Sequence, residues 1–162
     1  MATITFKKGD EYLAKIAKLA AESREDLFGE AIYGAAGIVA DEIRSTLEQV
    51  PTDERYGTSG SPLRGPKKIQ KKGLEQGLGI AGLSEDSGGF YNVKIGFDGY
   101  NGVRTKRWPN GQPNQMVARS VEGGTSWMRK NAFVRKAVAA IRAKAVEYMK
   151  QKVDEAIQKK MK

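Results

Sequence analysis

The chain has 162 residues, a formal net charge of +9, and neither cysteine nor histidine. The length fits a single domain over residues 1–162, and the lack of cysteine excludes disulfides and thiolate metal sites. Because histidine is the commonest metal ligand and the usual general base near neutral pH, we do not expect an enzyme and predict no catalytic residue, no metal site and no cofactor.

The charge is unevenly distributed along the chain. Residues 1–50 contain six basic and nine acidic residues, whereas residues 130–162 contain ten basic and three acidic residues. A basic excess favours a polyanionic partner, and opposite charges at the two ends equally favour docking against copies of the chain or acidic neighbours. Neither a signal peptide nor an apolar stretch of the roughly 20 residues that span a bilayer is visible, so we expect no membrane partner and a location in a cytoplasm.

Patterning predicts an α+β fold in which a small antiparallel β-sheet packs against two long helices, with long basic loops between them. Residues 1–24 are predicted to form a short strand and a helix. Residues 25–50 are predicted to form the first long helix, since apolar residues recur there with a 3.6-residue period. These residues are Phe28, Ile32, Ala35, Val39, Ile43 and Leu47. Gly29, Gly34 and Gly37 either let another element pack closely or are merely tolerated within the helix.

Residues 51–73 are predicted to form a mobile basic loop, because Leu63 and Ile69 are nearly all the apolar surface that this segment can bury. A second basic loop follows the predicted hairpin. The candidate contacts with a subunit, a partner or DNA are Arg64, Lys67, Lys68, Lys71, Lys72, Arg104, Lys106, Arg107 and Trp108. Their cations could neutralise phosphates and Trp108 could stack on a base, while the alternative is a solvated loop whose charges keep the protein soluble. On either hypothesis we expect the lysines to be dispensable for folding.

The second half of the chain is predicted to contain a hairpin, a turn and a helix. Residues 74–99 are predicted to form a β-hairpin, because apolar and polar residues alternate from Tyr91 to Phe97. Residues 100–130 are predicted to be a loop and a turn, in which residues 115–122 could form either a short helix or a strand. Residues 131–162 are predicted to form the C-terminal helix, with Asn131 as its N-cap. Its predicted apolar face is Val134, Val138, Ile141, Ala145, either Tyr148 or Met149, Val153 and Ile157.

The turn before the last helix is the most distinctive segment. It consists of Val121, Glu122, Gly123, Gly124, Thr125 and Ser126, and Phe133 follows shortly after it. Each of the two glycines could take a positive φ or allow another backbone to come close. The pattern therefore predicts the end of one element, a tight turn, and a helix opened by an aromatic residue.

This order of segments resembles that of the tail-completion, or head–tail joining, proteins of long-tailed bacteriophages, which are also described as minor tail components. In that family a long helix ends in an apolar residue and proline, here Val50-Pro51. A loop with glycine and threonine, a β-hairpin, a Val-Glu-x-Gly-Thr-like turn and an aromatic-opened helix follow in that order. The match covers residues 26–160, and Ala132 stands where the family usually has proline.

The resemblance implies a structural virion protein of the phage neck. Such proteins form a homo-oligomeric ring, commonly sixfold, that joins the head connector or stopper protein of the DNA-filled head to the tail tube or tail terminator protein. DNA passes through the channel of the ring. The implied localisation is the virion, with assembly in the host cytoplasm. The basic loops alone leave an alternative, which is a nucleic-acid-binding protein without sequence preference.

Overall fold

The computed structural model describes residues 24–161, with side chains from Phe28 onward, and this part of the chain contains four helices and two small antiparallel sheets. The helices are α1 (Arg24–Glu48), α2 (Lys68–Gly77), α3 (Asn114–Gly123) and α4 (Phe133–Met161). The strands are β1 (Leu78–Ile80), β2 (Ser84–Glu85), β3 (Tyr91–Asn92) and β4 (Ile95–Phe97). The predicted α+β class is confirmed. The strand and helix predicted for residues 1–24 lie outside the described residues, except that Arg24 begins α1.

The two long helices pack against each other in antiparallel directions. Near the end of α1 the Thr46 hydroxyl donates a hydrogen bond to the carbonyl of Phe133 at the start of α4 (3.1 Å). Farther along, a Cβ built on Gly34 would lie 2.5 Å from the Tyr148 hydroxyl oxygen, so the missing side chain lets the two helices approach here. The predicted close approach is thus confirmed at Gly34 but not at Gly37, where a Cβ would meet nothing within 4 Å.

The predicted hairpin is present as two short antiparallel strand pairs. β1 pairs with β4, with Leu78 opposite Phe97, and β2 pairs with β3. Because side chains alternate along a strand, Leu78 lies buried while the facing glycines Gly79 and Gly96 lie exposed. The hairpin begins at Leu78 rather than at residue 74, since the residues up to Gly77 belong to α2.

Two helices lie where the sequence predicted loops. α2 begins within the predicted loop over residues 51–73. Residues 115–122, which were predicted to form either a short helix or a strand, are helical and belong to α3. α2 has only two large apolar residues, Ile69 and Leu74, and a glycine in its interior, which is too few apolar positions to reveal a helix by their repetition. Its Leu74 is nevertheless completely buried, so tertiary packing holds a helix that is too short to be stable alone. The last helix begins at Phe133 instead of residue 131.

The hydrophobic core lies where the end of α1 meets the start of α4. Its buried residues are Ile43, Leu47, Val50, Leu63, Leu74, Leu78, Val117, Ala118, Val121, Met128, Phe133 and Ala137. Phe97 packs edge-on against Phe133, with ring centroids 5.8 Å apart. Since all four helices contribute to this cluster, it fixes the positions of the two basic loops and of the turn between α3 and α4.

Candidate functional site

Asp53 fastens the first part of the predicted mobile loop. Its buried carboxylate accepts hydrogen bonds from the backbone N–H of Arg64 (3.1 Å) and from Arg55 Nε (2.9 Å). The Asp53 N–H in turn donates to the carbonyl of Pro66 (3.0 Å). Leu63 and Pro66 are both buried. The premise of the predicted mobility, that this segment has too little apolar surface to bury, is therefore wrong for residues 51–66.

The same contacts change the acidity of Asp53. The hydrogen bond from the Arg55 side chain, followed by that from the Arg64 N–H, holds the pKa of Asp53 well below its usual value. The pairing with Asp53 also raises the pKa of Arg55. A carboxylate that stays ionised and bound to two segments of the same loop serves as an anchor for that loop.

The turn between α3 and α4 is joined to the anchored loop. The Leu63 N–H donates to the carbonyl of Trp127 (2.8 Å), and the Arg129 N–H donates to the carbonyl of Leu63 (2.8 Å), so the two segments form a parallel β-bridge. The side-chain amide of Asn131 donates to the carbonyl of Arg64 (2.9 Å). The turn and the loop over residues 51–66 therefore hold each other in place.

Glu122 caps α4 from the neighbouring helix α3. Its carboxylate accepts hydrogen bonds from the N–H groups of Val134 (2.9 Å) and Arg135 (3.2 Å), and Arg135 Nε adds an ion pair (3.2 Å). First-turn N–H groups have no partner within their own helix, and a negative charge beside them suits the helix dipole. The prediction that Asn131 caps this helix is wrong, because its side-chain amide binds loop carbonyls instead.

The two glycines of the turn have different backbone requirements. Gly124 has a φ of +74°, and a Cβ built on it would lie 3.0 Å from the backbone nitrogen of Lys130. Its N–H donates to the carbonyl of Ser120 (2.9 Å) and closes the end of α3. Gly123 is the last residue of α3, and a Cβ there would meet nothing within 4 Å. The predicted special backbone is confirmed for Gly124 and wrong for Gly123.

The remaining residues of the turn motif also have structural surroundings. Val121 and Phe133 lie in the hydrophobic core. The Thr125 N–H donates to the carbonyl of Met128 (2.9 Å) and closes the turn, at the tip of which Ser126 is exposed. The motif is therefore a joint that connects α3, α4 and the loop over residues 51–66.

Lys71 has a structural role that its sequence context did not indicate. Its Nζ donates hydrogen bonds to the carbonyls of Glu48 (2.7 Å) and Val50 (2.8 Å), so it closes the C-terminal end of α1. A cation at this position satisfies carbonyls that have no partner inside the helix and interacts favourably with the helix dipole. Among the four lysines that were expected to be dispensable for folding, we therefore expect Lys71 to be the exception.

The other cations of the segment are freer. Lys67 Nζ lies 4.8 Å from the centre of the Tyr56 ring, which is a cation–π contact. Lys68, Lys72 and Arg64 are exposed, and their charged groups form no hydrogen bond or ion pair within the described residues. These three charges remain available to an external anion.

α2 places its free lysines beside the second basic loop. Ile69 packs over Gly102, and Gln70 Nε2 donates to Gln112 Oε1 (2.7 Å). That loop exposes Arg104, Lys106 and Arg107, and the Arg107 guanidinium lies 5.6 Å from the centre of the half-buried Trp108 ring. We call Lys68, Lys72, Arg104, Lys106 and Arg107 the basic surface. The structure thus brings the two sequence-predicted basic segments onto neighbouring elements.

Two buried asparagines that sequence reasoning missed support the second loop. Asn114 Nδ2 donates to the carbonyl of Asp98 (2.7 Å), and Asn101 Oδ1 accepts from the N–H of Val103 (2.9 Å). The available signal was an Asn-Gly pair at residues 101–102, which indicates a turn without specifying these contacts.

The described residues contain no group of three histidine, cysteine, aspartate or glutamate side chains that could hold a metal ion. Among the helices of residues 24–161, none combines the length and the apolar character that crossing a membrane requires. The arrangement offers a hydrogen-bonded joint between helices and, on α2 and the second basic loop, a set of exposed cations.

No protein-family model, no curated protein and no solved structure matches this chain. Any assignment of function therefore rests on the order of the sequence segments and on the contacts described above.

Proposed function

We propose that the protein is a structural component of a bacteriophage neck, where it completes the tail and joins it to the DNA-filled head as a homo-oligomeric ring. The supporting observation is that the motif carrying the family resemblance is a structural joint. Glu122 caps α4, Gly124 closes α3, and Phe133 fills the core. Residues that position helices and loops are what an assembly protein requires, and this role needs no catalytic group.

In this role the partners are further copies of the chain, the head connector or stopper protein, the tail tube or tail terminator protein, and the DNA in the channel. The basic surface is the proposed contact with DNA or with an acidic partner. Its cations have no ion-pair partner among the described residues, so binding phosphate or carboxylate would not break an existing interaction. The protein would act in the virion neck after assembly in the host cytoplasm.

The test is to remove the gene from the phage that encodes it. Lysates should then contain DNA-filled heads and separate tails, and purified protein added to such a lysate should restore infectious particles. Joined particles at normal yield in the absence of the protein would contradict the proposed function.

A nucleic-acid-binding protein without sequence preference is the second candidate. It is favoured by the exposed cations of the basic surface and by Arg107 lying against Trp108, a pair that could stack on an unpaired base. Binding of the isolated protein to short duplex DNA separates the two candidates. A neck protein should bind weakly before assembly, whereas tight binding by a monomer or dimer, with affinity that falls steeply as salt rises, would favour the second candidate.

A further inference from the structure

α4 carries two apolar seams on opposite sides. The inner seam, which includes Ala137 and Ala145, is buried against α1. An outer seam recurs at alternating intervals of four and three residues, the spacing of a coiled coil. Its members are Ala139, Ala143, Val146, Lys150, Val153 and Ile157. At 100° per residue these positions face away from α1.

Most of the outer seam is exposed, although Val153 within it is half-buried. Val146 is 37% exposed and Ile157 is 40% exposed, although the sequence predicted Ile157 on the buried face. A shallow, open depression of about 510 Å³ lies on this side of α4. It is lined by Ala139, Arg142, Ala143, Val146, Glu147 and Lys150. A helix that is apolar on two opposite sides is suited to packing against two elements.

The charges beside the outer seam indicate what covers it. Arg142 lies on one side, where Arg135, seven residues before it, is already paired with Glu122 of the same chain. Glu147 and Asp154 lie seven residues apart on the other side. In a parallel coiled coil, the residue that flanks the seam on one helix lies beside the residue five positions later on the neighbouring helix. Arg142 and Glu147 have this offset. If two such helices run parallel, the basic side of one therefore meets the acidic side of the other. If they run antiparallel, basic faces basic and acidic faces acidic, which is unfavourable. The charge pattern therefore complements a parallel copy of α4 itself.

We propose that the outer face of α4 is the contact between copies of this chain, with neighbouring α4 helices parallel and Arg142 of one copy beside Glu147 of the next. The proposal deepens the proposed ring and rests on it, since it names the surface through which copies meet. The basic side and the acidic side of one helix would contact two different neighbours. Such a head-to-tail contact repeats around a ring, unlike a contact that pairs identical surfaces.

A disulfide trap tests the contact, because the natural chain contains no cysteine. The double variant Arg142→Cys/Glu147→Cys should give, on mild oxidation at high protein concentration, a ladder of covalent oligomers on a non-reducing gel. Arg142→Cys alone is the matched control and should stay monomeric, since in a head-to-tail contact two copies of residue 142 do not meet. A ladder that stops at the dimer would overturn the head-to-tail geometry. The absence of any inter-chain product would overturn the proposed contact, and this is also the result expected if another segment of the same chain covers the seam.

Charge reversal gives a second measurement. Arg142→Glu and Glu147→Arg should each weaken self-association by about fivefold or more, and the double reversal should restore it, as a coupled pair requires. Equal loss in all three variants would overturn the pairing. The outcomes stay distinct from those of the proposed function. If the mass of the protein shows an oligomer but no ladder forms, the copies assemble through another face. If the ladder forms but the protein is dispensable for joining heads to tails, it is not a neck component.

Discussion

At the residue scale, Gly124 holds a backbone conformation that other residues rarely adopt. We expect Gly124→Ala to lower the free energy of unfolding by more than about 1 kcal/mol, because strain at a φ of +74° adds to a close contact with Lys130. Gly123→Ala is the matched control, since this neighbouring position is helical and open, and it should be neutral or slightly stabilising. Denaturant unfolding measures both, and equal losses in the two variants would show that the turn is an ordinary loop.

Asp53 should make the stability of the protein depend on pH. The pKa of Asp53 in the folded protein lies well below the value of roughly 3.9 for an unfolded chain. At a pH above the unfolded pKa, ionised Asp53 therefore stabilises the fold. This contribution to stability is lost as the pH falls toward the folded pKa. We expect Asp53→Asn to lower the melting temperature at neutral pH and to flatten its decline below about pH 5. Asp98→Asn, at an exposed aspartate outside the loop over residues 51–66, is the matched control. A profile for Asp53→Asn parallel to that of the natural protein would exclude Asp53 as the titrating group.

At the scale of elements, two adjacent lysines on α2 have different roles. Lys71 closes the end of α1 through two backbone carbonyls, whereas Lys72 has no partner in the described part of the chain. We expect Lys71→Met to cost about 1 kcal/mol in the free energy of unfolding, through the lost charge-assisted hydrogen bonds. Lys72→Met should stay within about 0.5 kcal/mol of the natural protein. Equal unfolding free energies for the two variants would contradict the assigned cap.

Periodicity predicted the elements that are long or regular. The 3.6-residue pattern located α1 and α4 to within about two residues of their ends, and alternation from Tyr91 to Phe97 located the returning strand segment of the hairpin. It missed α2, because that short helix has only Ile69 and Leu74 as large apolar residues and depends on the burial of Leu74. Short helices are stabilised by contacts with distant segments, and local patterns do not contain those contacts.

The candidate site was only partly predictable for the same reason. The residue types of the turn indicated a special backbone, which holds at Gly124. The capping of α4 by Glu122 joins residues of two different helices, and the cap that Lys71 forms on α1 spans 21 and 23 residues. No local pattern distinguishes Lys71 from Lys72, so the division of the lysines into structural and free ones needed the fold.

At the scale of the whole molecule, the free cations of the basic surface are proposed to act in assembly rather than in folding. We expect the quadruple variant Lys68→Ser/Lys72→Ser/Arg104→Ser/Arg107→Ser to unfold as the natural protein does, because exposed and unpaired charges contribute little to stability. In infected cells it should leave filled heads and separate tails. The matched control Lys94→Ser/Lys130→Ser/Lys144→Ser/Lys159→Ser removes the same charge from other exposed positions and should support joining. Normal yields with the first variant would make the basic surface a solvated region without an assembly role.

The central claim is that several copies of this chain form a ring between head and tail. Native mass measurement of necks isolated from purified particles, combined with electron microscopy of the same particles, tests it most directly. The account predicts a cyclic homo-oligomer of this chain at the junction of head and tail, with six copies being what the family resemblance implies. A single copy per particle, or particles that contain none of the protein, would contradict it.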